Sequence, residues 1–404
     1  MPADDVIFRG NVVLADRILQ PGEVRVGAGR IVSVTPAERP PIRSTDRIVS
    51  VDGYLAPGYI DLHVHGGAGA DFMDGTPEAV GRVLAAHLKH GTTGVLATTT
   101  AARHEQILAT LAACRPYWRP GRSLDEASLP GHARLLGVHL YGPYFRAEAR
   151  GCHPGGPIRP PEATEYEPYF AGGLIATASV APELPGAESF VRSCLAHGVR
   201  ACAGHTYATF DQMADAVRWG VGHVDHLFCA MSDRARLRQE QTYPMRGGVL
   251  EAALFFDELT TEVIADGKHL SAELLSLARK IKGPDRLALV TDCNRALDMP
   301  DGEYIFGPSE GGELFVRHDD VGLMPDRRAL ASSVQGMDHM VRAFVELTGC
   351  PLWEAIRMAS LTPARIAGFE GELGSIEPGK RADLLVLSRD LRVREVYIDG
   401  ARQV

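Results

Sequence analysis

Eight short apolar runs, each followed by a longer stretch, constrain this 404-residue chain more than any other feature. They fall at residues 59–65, 93–100, 135–141, 174–181, 199–205, 221–226, 261–265 and 286–292. Apolar runs of this length with helical patterns between them, here at 76–90, 187–197, 210–219 and 271–280, are the mark of repeated βαβ units. Eight such units in roughly 250 residues plus insertions predict a closed (β/α)₈ barrel of the TIM type rather than an open sheet. After the eighth run the chain reads as loop-rich, then helical at 337–348 and 352–360.

The two ends follow a different pattern. Val- and Ile-rich runs with turns between them occupy 6–14, 23–26, 30–34 and 47–51, and β character returns at 371–376, 382–387 and 395–398. Terminal segments of one type can pair only by folding together. The expected division is a small β-sandwich built from 1–57 and 371–404, with the barrel, 58–370, inserted between its halves.

A chain that is 45% hydrophobic can bury a core of that size. Its formal net charge of -9 provides no basic field for a phosphate backbone, and Arg234, Arg236 and Arg238 make too short a stretch to change that. The opening Met-Pro-Ala-Asp-Asp is not a secretory signal, and no segment is apolar and long enough to cross a bilayer, so a cytoplasmic protein is expected. Cys114, Cys152, Cys194, Cys202, Cys229, Cys293 and Cys350 are odd in number and scattered without a Cys-x-x-Cys pair. They read as reduced thiols.

Chemistry is concentrated where the predicted strands end. The first run closes on Asp61-Leu62-His63-Val64-His65, and side chains two apart on a strand face the same way, so His63 and His65 converge on the barrel mouth. Run five ends at His205, run six at His226 and run eight at Asp292, all at the end of the barrel where active sites of this fold are built. Any one of these histidines alone reads as a hydrogen-bonded structural residue. Four imidazoles and a carboxylate at one mouth instead suit a borderline divalent cation, with Zn²⁺ the expected ion. A cation held by neutral imidazoles lowers the pKa of its water from ~15.7 to ~7, and Asp292 can take that proton and return it to a leaving amine. His153, in a Gly/Pro-rich loop after run three, and His269, after run seven, overhang the same mouth as candidates for gripping or polarising substrate.

These motifs resemble the amidohydrolase superfamily and, within it, the N-acetylglucosamine-6-phosphate deacetylases. The likeness runs from the stretch 56–66 through 90–93, 137–140, 204–206, 226–231, 265–269 and 291–292 to the closing Glu377-Pro378-Gly379-Lys380-Arg381-Ala382-Asp383-Leu384. It implies a metal-dependent amide hydrolase for an N-acetyl amino sugar or its 6-phosphate. His205 and His226 would then be metal ligands, Asp292 the catalytic aspartate, and His63 and His65 the pair that serves a second metal position in some members. His153 would help polarise the acetyl carbonyl, and Cys152, Cys229, Ala230, Asp266, His269, Gln335, Gly336 and Met337 would contact the sugar phosphate.

Three departures stand against that pattern. Tyr141-Gly142-Pro143 occupies the place of a Glu-Gly-Pro whose Glu is a ligand, Cys229 that of an Asn, and Tyr243-Pro244-Met245-Arg246 that of a phosphate-gripping Arg, with Arg246 a displaced substitute. A phenol is a poor ligand unless ionised, so one cation is expected rather than a bridged pair, and Tyr141 becomes a candidate hydrogen-bond donor to the reacting carbonyl. The same ligand set without the Glu also resembles single-metal deaminases and cyclic-amide hydrolases, and loss of the Glu raises the reading of an inactive sugar-binding relative. The expected partner is a small molecule and the expected assembly a homodimer.

Overall fold

The computed structural model describes residues 6–37, 47–119, 124, 129–232 and 244–404. The Arg234–Arg238 stretch and Tyr243 lie outside the described residues.

Eight parallel strands form one sheet: Tyr59–Val64, Thr92–Thr98, Arg134–Leu140, Ile175–Val180, Arg200–Ala203, His223–Val224, Thr260–Ile264 and Leu287–Val290. They neighbour one another in chain order. The first and last close the ring through Asp292 N–H donating to the His63 carbonyl at 2.9 Å and a bridge between Val64 and Cys293. The eight expected runs are thus the eight strands of the barrel. Residues on both faces are buried because the barrel interior lies on one side and helices on the other. The helices start on recognisable signals. Thr76 caps Pro77–Lys89 by accepting from Ala79 N–H, and Thr209 with Gln212 forms a capping box at the head of Phe210–Trp219.

The terminal segments join in one seven-stranded sheet, in which Val6–Val13, Ile18–Gly27, Arg30–Pro36 and Arg47–Pro57 meet Leu384–Leu387, Val393–Ile398 and Ala401–Arg402 through the antiparallel pairing of Arg47–Pro57 with Leu384–Leu387. Its own core includes Val6, Phe8, Val24, Val26, Leu55, Leu384 and Tyr397. Residues 371–376, expected as strand, are turns instead. Glu372 and Leu373 both hydrogen-bond back to the Phe369 carbonyl, and Gly374 has φ +89° against Ala364.

The stretch after Asp292, expected as loop, holds a second correction. Gly302–Phe306, Glu313–His318, Val321–Leu323 and Leu330–Ser333 form a four-stranded antiparallel sheet that returns to the barrel mouth. Ser333 N–H donates to the Asp292 carbonyl at 3.1 Å, so this sheet is pinned to the end of strand eight.

Candidate metal-binding active site

At the C-terminal mouth of the barrel lies a cavity of about 340 Å³, lined among the described residues by Tyr141, Cys152, His153, His205, Tyr207, His226, Cys229, Ala230, His269, Asp292 and Ser332, with others. Three of its residues end barrel strands in the left-handed region: His205 at φ +45°, His226 at +21° and Asp292 at +47°. For residues other than glycine this costs on the order of 1–3 kcal/mol each, and such strain collects at functional sites. Gly204 is required just before His205, because a Cβ there would sit 2.1 Å from Asp225 Oδ2.

The ring nitrogens determine what the histidines can do. His205 Nδ1 donates to the Ala149 carbonyl at 2.6 Å, which leaves Nε2 as a lone pair. That nitrogen faces His226 Nε2 at 3.3 Å, and His226 Nε2 also touches the Tyr141 hydroxyl. Two nitrogens bound at 2.0–2.1 Å to a tetrahedral zinc lie about 3.3 Å apart. On the other side, His63 Nδ1 is engaged by Glu262 Oε1 at 2.6 Å, so its Nε2 points inward, 3.7 Å from Asp292 Oδ1 and without a hydrogen-bond partner. His65 Nε2 lies 3.2 Å from the same oxygen. His63, His65 and Asp292 bring one ligand atom each within 4.8 Å of one another. Buried ring nitrogens facing a carboxylate and each other, His63 Nε2 without any hydrogen-bond partner, are what a divalent cation would satisfy.

Charge follows the same division. Burial holds His205 and His153 well below the usual imidazole range, with neighbouring imidazoles adding to it, and takes His226 down to about 4. These rings are neutral, as ligands must be. Burial also disfavours charge on His63, but Glu262 and Asp292 outweigh it and lift the group to about 9. Burial works against the Asp292 carboxylate, yet His63 and His65 hold it below its usual range, so it stays ionised.

His153 accepts at Nδ1 from Ala101 N–H at 3.2 Å, so its proton sits on Nε2, and the ring is a neutral donor in the cavity wall. His269 is bound through Nδ1 to Asp266 Oδ2 at 2.7 Å, which raises its affinity for a proton against the effect of burial.

Tyr141 occupies the middle. Its ring centroid lies 4.4 Å from that of His63, 5.3 Å from His205, 5.4 Å from His153, 5.8 Å from His65 and 6.0 Å from His226. Burial pushes its phenol far above the ordinary range, so the hydroxyl keeps its proton.

Several expected substrate contacts stand elsewhere. Arg246 pairs with Asp211 at 2.7 Å with its side chain 53% exposed, and this surface ion pair lies outside the cavity lining. Met337 is buried in the core, Gly336 packs on His90, where a Cβ would fall 2.2 Å from Cγ, and Gln335 uses its backbone N–H on Ser333 Oγ; none of the three lines the cavity. Asp266 acts through His269 and is not itself a lining residue. Two residues were not anticipated: Glu262, the partner of His63, and Ser332, whose Oγ lies 3.4 Å from Asp292 Oδ1. All seven cysteines are free, and no helix among the described residues is long and apolar enough to cross a membrane.

A (β/α)₈ barrel with imidazoles and one aspartate gathered at its C-terminal mouth defines a metal-dependent hydrolase. Residues 54–402 match the Amidohydrolase family, and the chain belongs to it. It is 33% identical to the N-acetylgalactosamine-6-phosphate deacetylase of Escherichia coli O157:H7 (94% of this chain, 93% of the relative) and 33% identical to the N-acetylglucosamine-6-phosphate deacetylase of Bacillus subtilis (95% and 92%). Among solved structures it resembles a variant N-acetyl-D-glucosamine-6-phosphate deacetylase from Mycobacterium smegmatis in complex with N-acetyl-D-glucosamine-6-phosphate, with TM-score 0.88, 29% identity and both chains covered in full. The N-acetylglucosamine-6-phosphate deacetylase from Pasteurella multocida also has a TM-score of 0.88, at 25% identity over 99% of this chain and all of that one. The chain is therefore a metal-dependent hydrolase acting on carbon–nitrogen bonds other than peptide bonds.

Proposed function

We propose that this enzyme removes the acetyl group from an N-acetylated hexosamine 6-phosphate. The observation that carries the reading is the meeting of His205 Nε2 and His226 Nε2 at 3.3 Å beside an ionised, buried Asp292. His205 and His226, together with Asp292, His63 and His65, are the residues that would hold one divalent cation, Zn²⁺ in this reading. A cation bound by these residues would supply Lewis-acid polarisation and lower the pKa of water toward neutrality. Asp292 Oδ takes the proton of the attacking water and delivers it to the amide nitrogen as the amine departs. His153 Nε2–H donates to the acetyl oxygen as negative charge develops on it. Tyr141 O–H is a second donor in the same space.

Cys152, Cys229 and Ala230 form the wall against which the sugar would lie, and His269, whose proton Asp266 holds, is the basic side chain nearest to a phosphate role. No Lys or Arg lies among the described lining residues, so discrimination between phosphorylated and free sugars is the informative comparison. In this reading the enzyme is a cytoplasmic homodimer, which sedimentation would check.

The test is release of acetate and of ammonia from N-acetylglucosamine, N-acetylgalactosamine and their 6-phosphates, before and after removal of metal with a chelator. Acetate from a 6-phosphate, lost on chelation and restored by Zn²⁺, is the expected result. Ammonia without acetate would move the enzyme to the deaminating branch.

A further inference from the structure

Glu262 lies on barrel strand seven, Thr260–Ile264, and is 1% exposed, deeper in the barrel than the cavity whose lining it does not join. A carboxylate is costly to bury without partners. Here each oxygen has one from another strand. Oε1 accepts from His63 Nδ1–H at 2.6 Å on strand one and from the backbone N–H of His226 at 3.2 Å at the end of strand six. Oε2 faces His223 Nε2 at 3.3 Å on strand six. The Glu262 carbonyl in turn accepts from Leu227 N–H at 2.8 Å. One residue therefore grips the imidazole of His63 and both flanks of the peptide that turns left-handed at His226.

The consequence for the rings is specific. When a cation displaces the Nε2 proton of His63, the bond to Glu262 holds the one that remains on Nδ1. Nε2 faces Asp292 Oδ1 at 3.7 Å and has no hydrogen-bond partner. His205 holds its Nδ1 proton by another route, through the Ala149 carbonyl.

We infer that Glu262 is a positioning residue for the cation site, fixing the tautomer and direction of His63 and the backbone that carries His226. This rests on the reading of the mouth as a metal centre. Supporting carboxylates of this kind affect affinity for the metal by roughly 10- to 100-fold without touching it.

Two variants test the assignment. Glu262→Gln keeps the volume and an acceptor oxygen but loses the charge; Glu262→Leu loses the acceptor altogether. Zn²⁺ affinity is measured by chelator competition on folded protein, with circular dichroism and thermal unfolding as checks on the fold, and the His63 ring protons are followed by ¹⁵N NMR. The expected result is a graded loss, about tenfold for Glu262→Gln and about 100-fold for Glu262→Leu, with the Nδ1–H signal of His63 lost in the latter. If Glu262→Leu does not fold, Glu262→Gln decides alone. Wild-type affinity in Glu262→Gln, or a fall in thermal stability with Zn²⁺ affinity unchanged, assigns Glu262 to packing and overturns the inference while leaving the metal centre standing. A wild-type protein that takes up no Zn²⁺ overturns both.

Discussion

Two buried clusters of charged and polar side chains sit at different parts of this molecule, and they are built on different rules. Where the barrel meets the terminal sheet, Arg134 donates through Nε and Nη2 to both oxygens of Asp383, at 3.0 and 3.2 Å, and pairs with Asp399 at 2.6 Å. Asp383 also accepts from Asp399 N–H at 2.9 Å. The carboxylates outweigh burial and keep Arg134 charged. At the mouth, by contrast, His63 Nε2 has no hydrogen-bond partner, the Nε2 atoms of His205 and His226 meet at 3.3 Å, and three residues of the group sit in strained backbone. A cluster that serves only stability closes on itself. One that leaves lone pairs facing a cavity has kept them for something that arrives.

The contrast can be broken by substitution on either side. Asp292→Asn keeps the volume but cannot take a proton, so kcat should fall by more than about 10²-fold with circular dichroism unchanged. Activity within a few-fold of wild type would move the base to His269 or His153. Arg134→Ala should do the reverse. Removing one partner of a buried pair strands the others and costs about 3–5 kcal/mol in denaturant unfolding, while kcat per folded molecule holds. A stable variant, or one folded but inactive, would erase the distinction between the clusters.

Tyr141→Phe sharpens it. If the hydroxyl donates to the developing oxyanion, its loss costs kcat about 10²-fold with metal content unchanged, close to the 2.7–4 kcal/mol found for other such donors. An unchanged rate leaves Tyr141 as filler of the central space. Tyr141→Glu should raise metal stoichiometry, which atomic emission would detect.

The smallest effect belongs to His90, which bonds Asp338 at 2.9 Å and Asp298 at 3.1 Å; these carboxylates outweigh burial and lift it to about 9. A histidine whose folded pKa lies above its unfolded value of ~6.5 contributes fully below that pH and loses the contribution as pH rises through about 9. Because the partners are partly exposed, about 1 kcal/mol is at stake. His90→Gln should flatten the fall in stability between neutral pH and pH 10, and an identical profile in both proteins would deny the pair any role.

Much of the barrel was legible because strands buried on both faces leave continuous apolar runs, and because the ligands stand where those runs stop. The Asp61-Leu62-His63-Val64-His65 alternation by itself places two imidazoles on one face. Glu262 was missed although a signal existed: a single acid within Thr260-Thr261-Glu262-Val263-Ile264, a run otherwise fit for burial, needs a partner, but sequence alone does not say that the partner is His63. The four-stranded sheet at 302–333 was passed over too, though Gly311-Gly312 and Asp319-Asp320 punctuate β-prone runs as hairpin turns do. Arg246 was placed at the site by analogy of position. Side-chain pairing is decided by nearby charge, and Asp211 takes it.

In the proposed mechanism the ring nitrogens at the mouth hold one divalent cation. That binding is tested most directly by the metal content of the purified chain, measured by inductively coupled plasma mass spectrometry after dialysis against metal-free buffer and reconstitution with Zn²⁺. One tightly held ion per chain is expected in the wild type, and its loss when His205 and His226 are both replaced by alanine. Two ions per wild-type chain, or full retention of metal in the double variant, would contradict it.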